Sequence, residues 1–136
     1  MSTFRLKIIA SDREFFNGPV EKLTIPVIDG EMGIMAHHEN MVISTEIGEL
    51  RFTREDGVTE HAVVGYGFTQ IMNNRVLVLV DSAEHPEEID IKRAKEAEER
   101  AKENLRQKQS IREYNHSQAS LARAMSRLRA TGKYNG

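Results

Sequence analysis

Apolar and polar residues alternate in short runs along the first 80 residues. Phe4, Leu6, Ile8 and Ala10 alternate with polar neighbours, which is the period of a strand with one buried face. Turn signals separate the runs at intervals of roughly eight to twelve residues, and this spacing predicts antiparallel strands in a sandwich or barrel. The turn signals are Asn17-Gly18-Pro19, Asp29-Gly30, Gly48, Asp56-Gly57, Gly65-Tyr66-Gly67 and Asn73-Asn74.

Two of these signals predict hairpins, and one apolar run predicts a central strand. Asp56-Gly57 is the strongest hairpin signal in the chain, and Asn73-Asn74 suits a two-residue hairpin because Asn tolerates the left-handed conformation. The run from Val76 to Val80 is continuously apolar, so we expect it to be central and buried on both faces.

The pattern changes after Pro86 to the period of a helix. Asp90 is a suitable N-cap, and Ala94, Ala97, Ala101 and Leu105 then follow at spacings of three or four. This narrow alanine stripe predicts a helix over about 90–107 that a second helix can approach closely. The second helix is predicted over about 114–130, with a break near Ser110, and its apolar residues are Ala119, Leu121, Ala122, Met125 and Leu128.

The predicted fold class is therefore α+β. Residues 1–86 form an antiparallel β-sandwich or flattened barrel, and residues 87–136 form an antiparallel two-helix hairpin. A hairpin of such modest apolar content is marginally stable alone, so we expect it to dock on a surface and to be able to change that surface.

Composition excludes several classes of site. The 136 residues contain no Cys, which excludes disulfides, thiolate metal sites and a Cys nucleophile. The N-terminus lacks an apolar signal region, and no apolar run approaches the ~20 residues of a membrane span. We expect the protein on the cytoplasmic side, with any membrane contact made through another protein.

The two halves differ in charge. Residues 1–86 hold 7 Lys and Arg against 13 Asp and Glu, a net charge of −6, whereas residues 87–136 hold 12 against 8, a net charge of +4. A basic helical tail indicates an acidic partner, although a solvated helix surface has the same pattern.

No catalytic constellation is present in the sequence. There is neither a phosphate-binding loop of the Walker type nor a nucleophile elbow. His37, His38 and Glu39 could suggest a metal, but adjacent strand residues point to opposite faces and converge poorly on one ion. Surface histidines on a loop are the better interpretation.

Four arginines on the predicted helices form the better cluster. Arg93 and Arg100 share one face of the first helix, and Arg123 and Arg127 share one face of the second. In an antiparallel hairpin these guanidinium groups could surround a polyphosphate, with Glu84 and Asp90 at the base accepting from an amino group. The alternative is that they form surface ion pairs with Glu96, Glu98, Glu99 and Glu103.

At this point several motifs resemble one family over essentially the full chain. Gly30-Glu31-Met32-Gly33-Ile34 with His38, Gly67-Phe68, Ile89-Asp90-Ile91-Lys92-Arg93-Ala94 and Arg123 to Leu128 follow in the order and spacing of the epsilon subunit of bacterial rotary ATP synthases. Two departures are Ala36-His37 in place of the usual Pro-Gly, and Tyr66 in place of the first Gly of a pair. They leave open the detail of the loop that faces the c ring and of the turn at Tyr66.

The resemblance implies a rotor part without catalysis of its own. It implies that the sandwich grips the gamma subunit and sits on the c ring of a proton-translocating synthase through Glu31 and His38. It implies that the hairpin extends into the alpha/beta catalytic head and inhibits ATP hydrolysis, where the basic residues Arg123, Arg127, Arg129 and Lys133 would meet an acidic surface. No cofactor is required, and the protein would be a peripheral component at the cytoplasmic face of the bacterial cell membrane.

The resemblance also implies ATP as a regulatory ligand of the folded hairpin. The matching residues are Glu84, Ile89, Asp90, Arg93, Arg100, Arg123 and Arg127. A stand-alone nucleotide-sensing module would need the same arginines without gamma or c-ring contacts. A nucleic-acid binder is disfavoured because the basic tail lacks interleaved aromatic residues and the body is acidic.

Overall fold

The computed structural model describes residues 2–106 and 111–135, and the side chains of residues 2–105 and 116–131. The chain divides into two compact units, Met1–His85 and Pro86–Gly136. The first unit contains the strands β1 Phe4–Ile9, β2 Glu14–Val27, β3 Gly30–Met35, β4 Met41–Thr45, β5 Gly48–Arg54, β6 Thr59–Val64, β7 Gly67–Met72, β8 Arg75–Val80 and β9 Ala83–Glu84. The second unit contains a 3-10 helix, Pro86–Glu88, and the helices α1 Ile91–Arg106 and α2 Ile111–Asn135.

The strands form a β-sandwich with the order β4-β7-β8-β1-β2-β5-β6-β9, and β3 also pairs with β2. The pairs are antiparallel except for β1 and β8, which run parallel. The antiparallel strands predicted from the alternation are therefore confirmed, with one parallel pair added between the first and the eighth strand.

The strand β2 joins the two layers of the sandwich. Its first half pairs with β1 and its second half with β3 and β5, and a register shift between Val20 and Lys22 separates the two parts. A bulge bends a strand and increases its twist, so a single 14-residue strand can contribute to both layers.

The turn predicted at Asn17-Gly18-Pro19 is wrong, because these residues lie inside β2. Asn17, Gly18 and Pro19 pair with Lys7, Leu6 and Arg5 of β1. Pairing with β5 begins only at Val20. Pro19 therefore lies just outside that second ladder, where the missing N–H costs least.

The interior of the sandwich is aliphatic. Its buried polar side chains include Thr45 of β4 and Thr69 of the neighbouring strand β7, whose hydroxyl groups share a hydrogen bond of 2.8 Å. Burying polar groups is tolerated when they are paired in this way. The fully buried large side chains include Leu6, Ile8, Leu23, Ile25, Ile34, Leu50, Phe52, Ile71 and Val78.

The strand β8 is central, as predicted, but it is buried on one face only. Val76, Val78 and Val80 point into the core, whereas Leu79 is 44% exposed. The expectation of burial on both faces is therefore wrong. An apolar run can also arise when the second face of a strand is open, and this open face is described below.

The predicted hairpins are confirmed. The turn between β7 and β8 consists of Asn73 and Asn74 with φ of 50° and 60°, and Gly57 has φ of 85° in the turn between β5 and β6. Two positive φ values in a two-residue loop match the twist of the flanking strands.

The Asn73–Asn74 turn also holds the loop that carries His38. The backbone N–H of His37 donates to Asn74 Oδ1 (2.7 Å), and the backbone N–H of Asn73 donates to Asn40 Oδ1 (2.9 Å). His37 itself has φ of 65°, a left-handed conformation that glycine adopts without strain. A His therefore occupies a position whose backbone suits glycine.

The helical unit begins at the predicted N-cap. The carboxylate of Asp90 accepts from the backbone N–H of Arg93 (3.1 Å), and its carbonyl accepts from Ala94 N–H (3.0 Å). The helix α1 ends at Arg106, close to the prediction. The helix α2 begins at Ile111, three residues earlier than predicted, and ends at Asn135, five residues later. The predicted break near Ser110 falls on residues 107–110, outside the described residues.

Small side chains fill the buried positions of the two helices. Of the stripe predicted on α1, Ala94 and Ala101 are buried, and Ala97 and Leu105 are half-buried. On α2 the expected apolar stripe is wrong in part, because Met125 is 39% exposed. Within residues 116–131 the buried side chains of α2 are instead Ser117, Ala124, Ser126, Ala130 and Thr131.

We predict that Gly67→Ala destabilises the sandwich and that Gly33→Ala does not. A Cβ at Gly67 would lie 1.8 Å from the carbonyl oxygen of Leu79, whereas a Cβ at Gly33 would have no heavy atom within 4 Å. The backbone of β8 cannot move without breaking the sheet, so we expect a loss of roughly 2–3 kcal/mol at Gly67 and a change within about 0.5 kcal/mol at Gly33. Urea unfolding of both variants measures this, and equal losses would contradict the packing described.

A second prediction concerns the order of stability of two variants at His37. At an ordinary exposed position Ala is more favourable than Gly by about 0.5–1 kcal/mol. At His37 the left-handed conformation costs an Ala side chain about 1–2 kcal/mol, so His37→Gly should be at least as stable as His37→Ala. The same two substitutions at His38 are the control, and there the Ala variant should be the more stable. Thermal unfolding of the four variants shows whether Gly or Ala gives the more stable protein at each position. A more stable Ala variant at both positions would exclude the left-handed conformation at position 37.

Candidate functional sites

The arginines of α1 are exposed and carry no ion pair within the described part of the chain. Arg93 and Arg100 both lie on the exposed side of α1, and among the nearby glutamates Glu98 is paired with Lys102 (3.1 Å). The alternative in which Arg93 and Arg100 are neutralised by the glutamates of α1 therefore has no support in residues 91–105. Their guanidinium groups remain available to a ligand.

The arginines of α2 are more enclosed. Arg123 and Arg127 are half-buried and both take part in interactions within the structure. The backbone carbonyl of Arg127 also accepts from the hydroxyl of Thr131 (2.9 Å).

The antiparallel arrangement of the two helices determines which arginines lie at the same height along the hairpin axis. The two helices pack against each other across a connection of four residues, and α2 also contacts the 3-10 helix that precedes α1, so they run antiparallel. Counting back from the connection, Arg93 lies level with Ala124, between Arg123 and Arg127. Arg100 lies level with Ser117, roughly 9 Å along the axis from Arg123. Along the hairpin axis, Arg93 therefore lies within about one turn of Arg123 and Arg127, and Arg100 lies nearer the end of α1.

The carboxylate of Asp90 caps α1 with one oxygen and can accept a further hydrogen bond with the other. Its Oδ1 caps α1, which leaves Oδ2 as an acceptor for an amino group. Ile89 is half-buried, and its N–H donates to the carbonyl of Pro86 (3.2 Å). Glu84 belongs to the first unit, where it pairs with Val63 as the last residue of β9.

Glu31 is exposed on β3 and is held by an arginine that the motifs did not indicate. Both carboxylate oxygens accept from Arg51 of β5, at 2.5 and 3.3 Å. The hydrogen bond that Arg51 donates to Glu31 raises the pKa of Arg51 above its usual value. The two residues reach each other across β2, where Glu31 is opposite Pro26 and Arg51 opposite Thr24, so only the strand register could have revealed the pair.

A hydrogen bond between His61 and Glu49 continues this network on the same sheet. His61 of β6 is opposite Arg51 in the register, and its Nδ1 lies 3.0 Å from Glu49 Oε1. Acidic and basic groups therefore alternate from Glu31 through Arg51 and Glu49 to His61.

His38 is half-buried in the loop between β3 and β4, and its ring orientation is fixed by its neighbour. Its Nδ1 lies 2.9 Å from the backbone carbonyl of Glu39. A carbonyl only accepts, so Nδ1 carries the hydrogen and Nε2 is the acceptor of the neutral ring. This His can therefore present an acceptor to a partner.

The basic end of the chain lies only partly in the described residues. Arg129 is exposed and donates to Ser126 Oγ (3.3 Å). The side chain of Lys133 falls outside the described residues.

The open face of β4, β7, β8 and β1 is a surface that the sequence motifs did not indicate. We call it the outer face. Its apolar part, the apolar strip, consists of Val42, Phe68, Leu77 and Leu79; Val42 is 65% and Phe68 59% exposed. Phe68 and Leu79 are direct cross-strand neighbours.

Next to the strip on the outer face lies a groove of about 780 Å³. Its charged residues are Arg5, Lys7 and Arg75, and we call it the basic groove. Asn17, Gln70 and Asn73 supply amides, and the apolar lining comprises Ile9, Met72, Val76 and Leu77.

The described residues contain no group of three or more His, Cys, Asp or Glu side chains that could hold a metal ion. Among the same residues, neither helix combines the length and apolar character that crossing a bilayer requires.

Comparison with known protein families matches both units. The model of the ATP synthase delta/epsilon chain β-sandwich domain matches residues 3–86, and that of the long α-helix domain matches residues 87–132. An ATP synthase epsilon chain of Ruminiclostridium cellulolyticum is 47% identical, with 98% of each chain covered. One of Caldicellulosiruptor bescii is 41% identical, with 95% of this chain and 93% of the relative covered.

Solved structures agree with these matches. A chain in the mitochondrial ATP synthase of Euglena gracilis, in a structure of OSCP, F1 and the c-ring, superposes with a TM-score of 0.81 at 25% identity, covering 93% of this chain and 79% of that one. A chain from the central stalk and c-ring of the Tetrahymena thermophila enzyme superposes with a TM-score of 0.65 at 13% identity, covering 93% and 95%, which shows a shared fold. The chain belongs to the ATP synthase delta/epsilon family and is a bacterial epsilon chain, a non-catalytic subunit of the F-type enzyme.

Proposed function

We propose that this epsilon chain is a central-stalk rotor subunit that joins the gamma subunit and the c ring to the catalytic head, and that its helical hairpin inhibits ATP hydrolysis. The observation that carries the proposal is the contrast between the two units. The sandwich has a tightly packed core of large side chains, whereas the buried side chains of α1 and α2, within residues 91–105 and 116–131, are Ala, Ser and Thr.

The apolar strip supports a protein partner for the sandwich. Phe68 and Val42 each expose more than half of their surface, whereas Ile71 and Val78 on the inner face of the same layer are buried. Adjacent exposed apolar residues mark interaction sites. We assign this strip to the gamma subunit, because a rotor subunit requires one stable docking surface.

Glu31 and His38 support a polar contact with the c ring. Arg51 fixes the carboxylate of Glu31, and the Asn73–Asn74 turn fixes the loop of His38. Fixed polar groups lose little side-chain entropy on binding. We propose that this part of the sandwich faces the polar loops of the ring in a proton-translocating enzyme, at the cytoplasmic face of the cell membrane.

Because the buried side chains of the hairpin are small, a change of docking costs little free energy. Burying a large aliphatic side chain contributes about 1.5–3 kcal/mol, whereas each methylene-sized group contributes about 0.8 kcal/mol. The buried alanines Ala94, Ala101, Ala124 and Ala130 lie at the low end of this range. The helices can therefore exchange these contacts for contacts with the alpha/beta head, to which Arg123, Arg127, Arg129 and Lys133 would bring positive charge.

ATP is the proposed ligand of the folded hairpin. Arg93 lies between the levels of Arg123 and Arg127, Arg100 follows along the same axis, and Asp90 keeps one free acceptor. Guanidinium groups match phosphate oxygens bidentately, so the cluster suits a triphosphate. Ile89 would contact the base. A ligand at a hundred times its dissociation constant stabilises the bound state by about 2.7 kcal/mol, and binding to the head should weaken ATP binding in return.

We predict that ATP binds the purified chain more tightly than ADP and that Arg123→Ala abolishes this preference. Arg129→Ala is the matched control, because it removes the same charge from the same helix outside the cluster. Titration calorimetry of the three proteins measures the effect. Absence of binding at millimolar ATP, or equal loss in both variants, would contradict a nucleotide site.

Removal of residues 87–136 should raise ATP hydrolysis by the reconstituted enzyme, because the inhibitory hairpin is gone, while the enzyme still assembles. Hydrolysis rates of the complex with full-length and truncated chain give the comparison. An unchanged rate at equal assembly would rule out the inhibitory role.

Cysteine placed at position 31 or 38 should cross-link to a c subunit in the assembled enzyme. The native chain has no Cys, so each variant carries one thiol. Glu55→Cys is the control, because it lies in the turn after Arg54 at the opposite end of the β2–β5 ladder from Glu31. Cross-links from position 55 and none from 31 or 38 would refute the assignment.

A further inference from the structure

Two arginines of the basic groove lie side by side. Arg5 of β1 and Arg75 of β8 are direct partners in the parallel ladder, and both are exposed. Like charges that face each other on neighbouring strands destabilise a sheet. A carboxylate between them would relieve the repulsion.

Within the described part of the chain, neither arginine forms an ion pair. Arg5 donates through Nε to the neutral amide oxygen of Asn17 (2.9 Å), and the side chain of Arg75 has no hydrogen bond among the described residues. The third cation, Lys7, lies 3.8 Å from Glu14, which also accepts from the Asn17 amide (3.1 Å).

This positive charge lies on an acidic unit. Residues 1–86 carry 7 Lys and Arg against 13 Asp and Glu, yet no carboxylate lines the groove. Two other cations of the sandwich have acidic partners: Arg51 pairs with Glu31, and Arg54 pairs with Asp56 and Glu60. The groove therefore has a local charge opposite to that of its surroundings, and this charge attracts an anionic partner.

The lining favours a protein segment over a small anion. Met72 is 49% exposed, and Leu77 belongs to both the groove and the apolar strip. A protein surface that covers the strip would continue over Leu77 into the groove, where it would meet the three cations. A small anion would leave the apolar residues uncovered.

We propose that the basic groove docks an acidic segment of the gamma subunit, continuous with the part of gamma that covers the apolar strip. This inference rests on the proposed function, in which gamma occupies the strip. Charge pairs at the edge of an apolar interface mainly set the association rate, the salt dependence and the register of docking. The groove therefore orients the sandwich on gamma, and the strip holds it.

The test measures the affinity of the full chain for purified gamma subunit at low and high NaCl concentration. Arg75→Glu is the informative variant, because it reverses a charge without removing a hydrogen bond of the described fold. Lys22→Glu is the matched control, since Lys22 is an exposed cation of β2 outside the groove. Circular dichroism establishes that both variants fold.

We expect Arg75→Glu to weaken gamma binding about tenfold at low salt and to reduce its salt dependence, with Lys22→Glu changing the affinity less than about twofold. Phe68→Ser should weaken binding by the same factor at every salt concentration. Equal affinities of wild type, Arg75→Glu and Lys22→Glu would overturn the groove assignment alone. Failure of the wild type to bind gamma would overturn the proposed docking of the strip as well.

A vesicle experiment excludes the lipid alternative. Vesicles that contain phosphatidylglycerol present phosphate groups without a protein surface. If Arg75→Glu abolished vesicle binding and left gamma binding unchanged, the groove would bind lipid headgroups and the proposal would be overturned. We expect gamma binding to respond to the substitution.

Discussion

Pairing of β2 with three strands is the constraint on which the sandwich depends. The first half of β2 completes the layer of β1, β8, β7 and β4, and the second half joins β3 and β5 of the other layer. The bulge after Val20 lets one strand do both, and the core of Leu6, Ile8, Leu23, Ile25 and Phe52 closes between the layers. With both layers fixed in this way, the outer face becomes a rigid surface. The pair of Glu31 and Arg51 likewise exists only because β2 lies between β3 and β5.

Much of this fold follows from local patterns in the sequence. Alternation identified the strands, Asp56-Gly57 and Asn73-Asn74 identified their turns, and the Asp90 cap identified the start of α1, since each depends on residues close together in the chain. The turn expected at Asn17-Gly18-Pro19 failed because the sheet overrode local propensity. Pro19 lies just outside the β5 ladder, which no local signal reveals. The expected burial of Leu79 failed for a similar reason, because an apolar run does not show whether the second face of a strand is covered by the protein itself or by a partner.

The functional residues that could be predicted also differ from the others in how far apart they lie in the chain. The helix spacing placed Arg93 with Arg100, and Arg123 with Arg127, on one face of each helix, and the family motifs supplied Glu31 and His38 as expectations. Arg51, the apolar strip and the basic groove were not identified from the sequence, because each consists of residues from strands that are distant in the chain and adjacent in the sheet. Arg5 and Arg75 are separated by seventy positions and become neighbours only through the parallel pairing of β1 and β8.

In the proposed function the sandwich is a fixed platform, and the hairpin is the part that changes its docking. Amide hydrogen exchange of the full chain, with and without saturating ATP, distinguishes the two parts. We expect ATP to slow exchange in α1 and in α2 and to leave the amides of β1 to β8 unchanged, because the nucleotide bridges the helices and the core of large side chains is already closed. Slowed exchange throughout the sandwich, or unchanged exchange in both helices, would show that the hairpin is not the part that responds to the nucleotide.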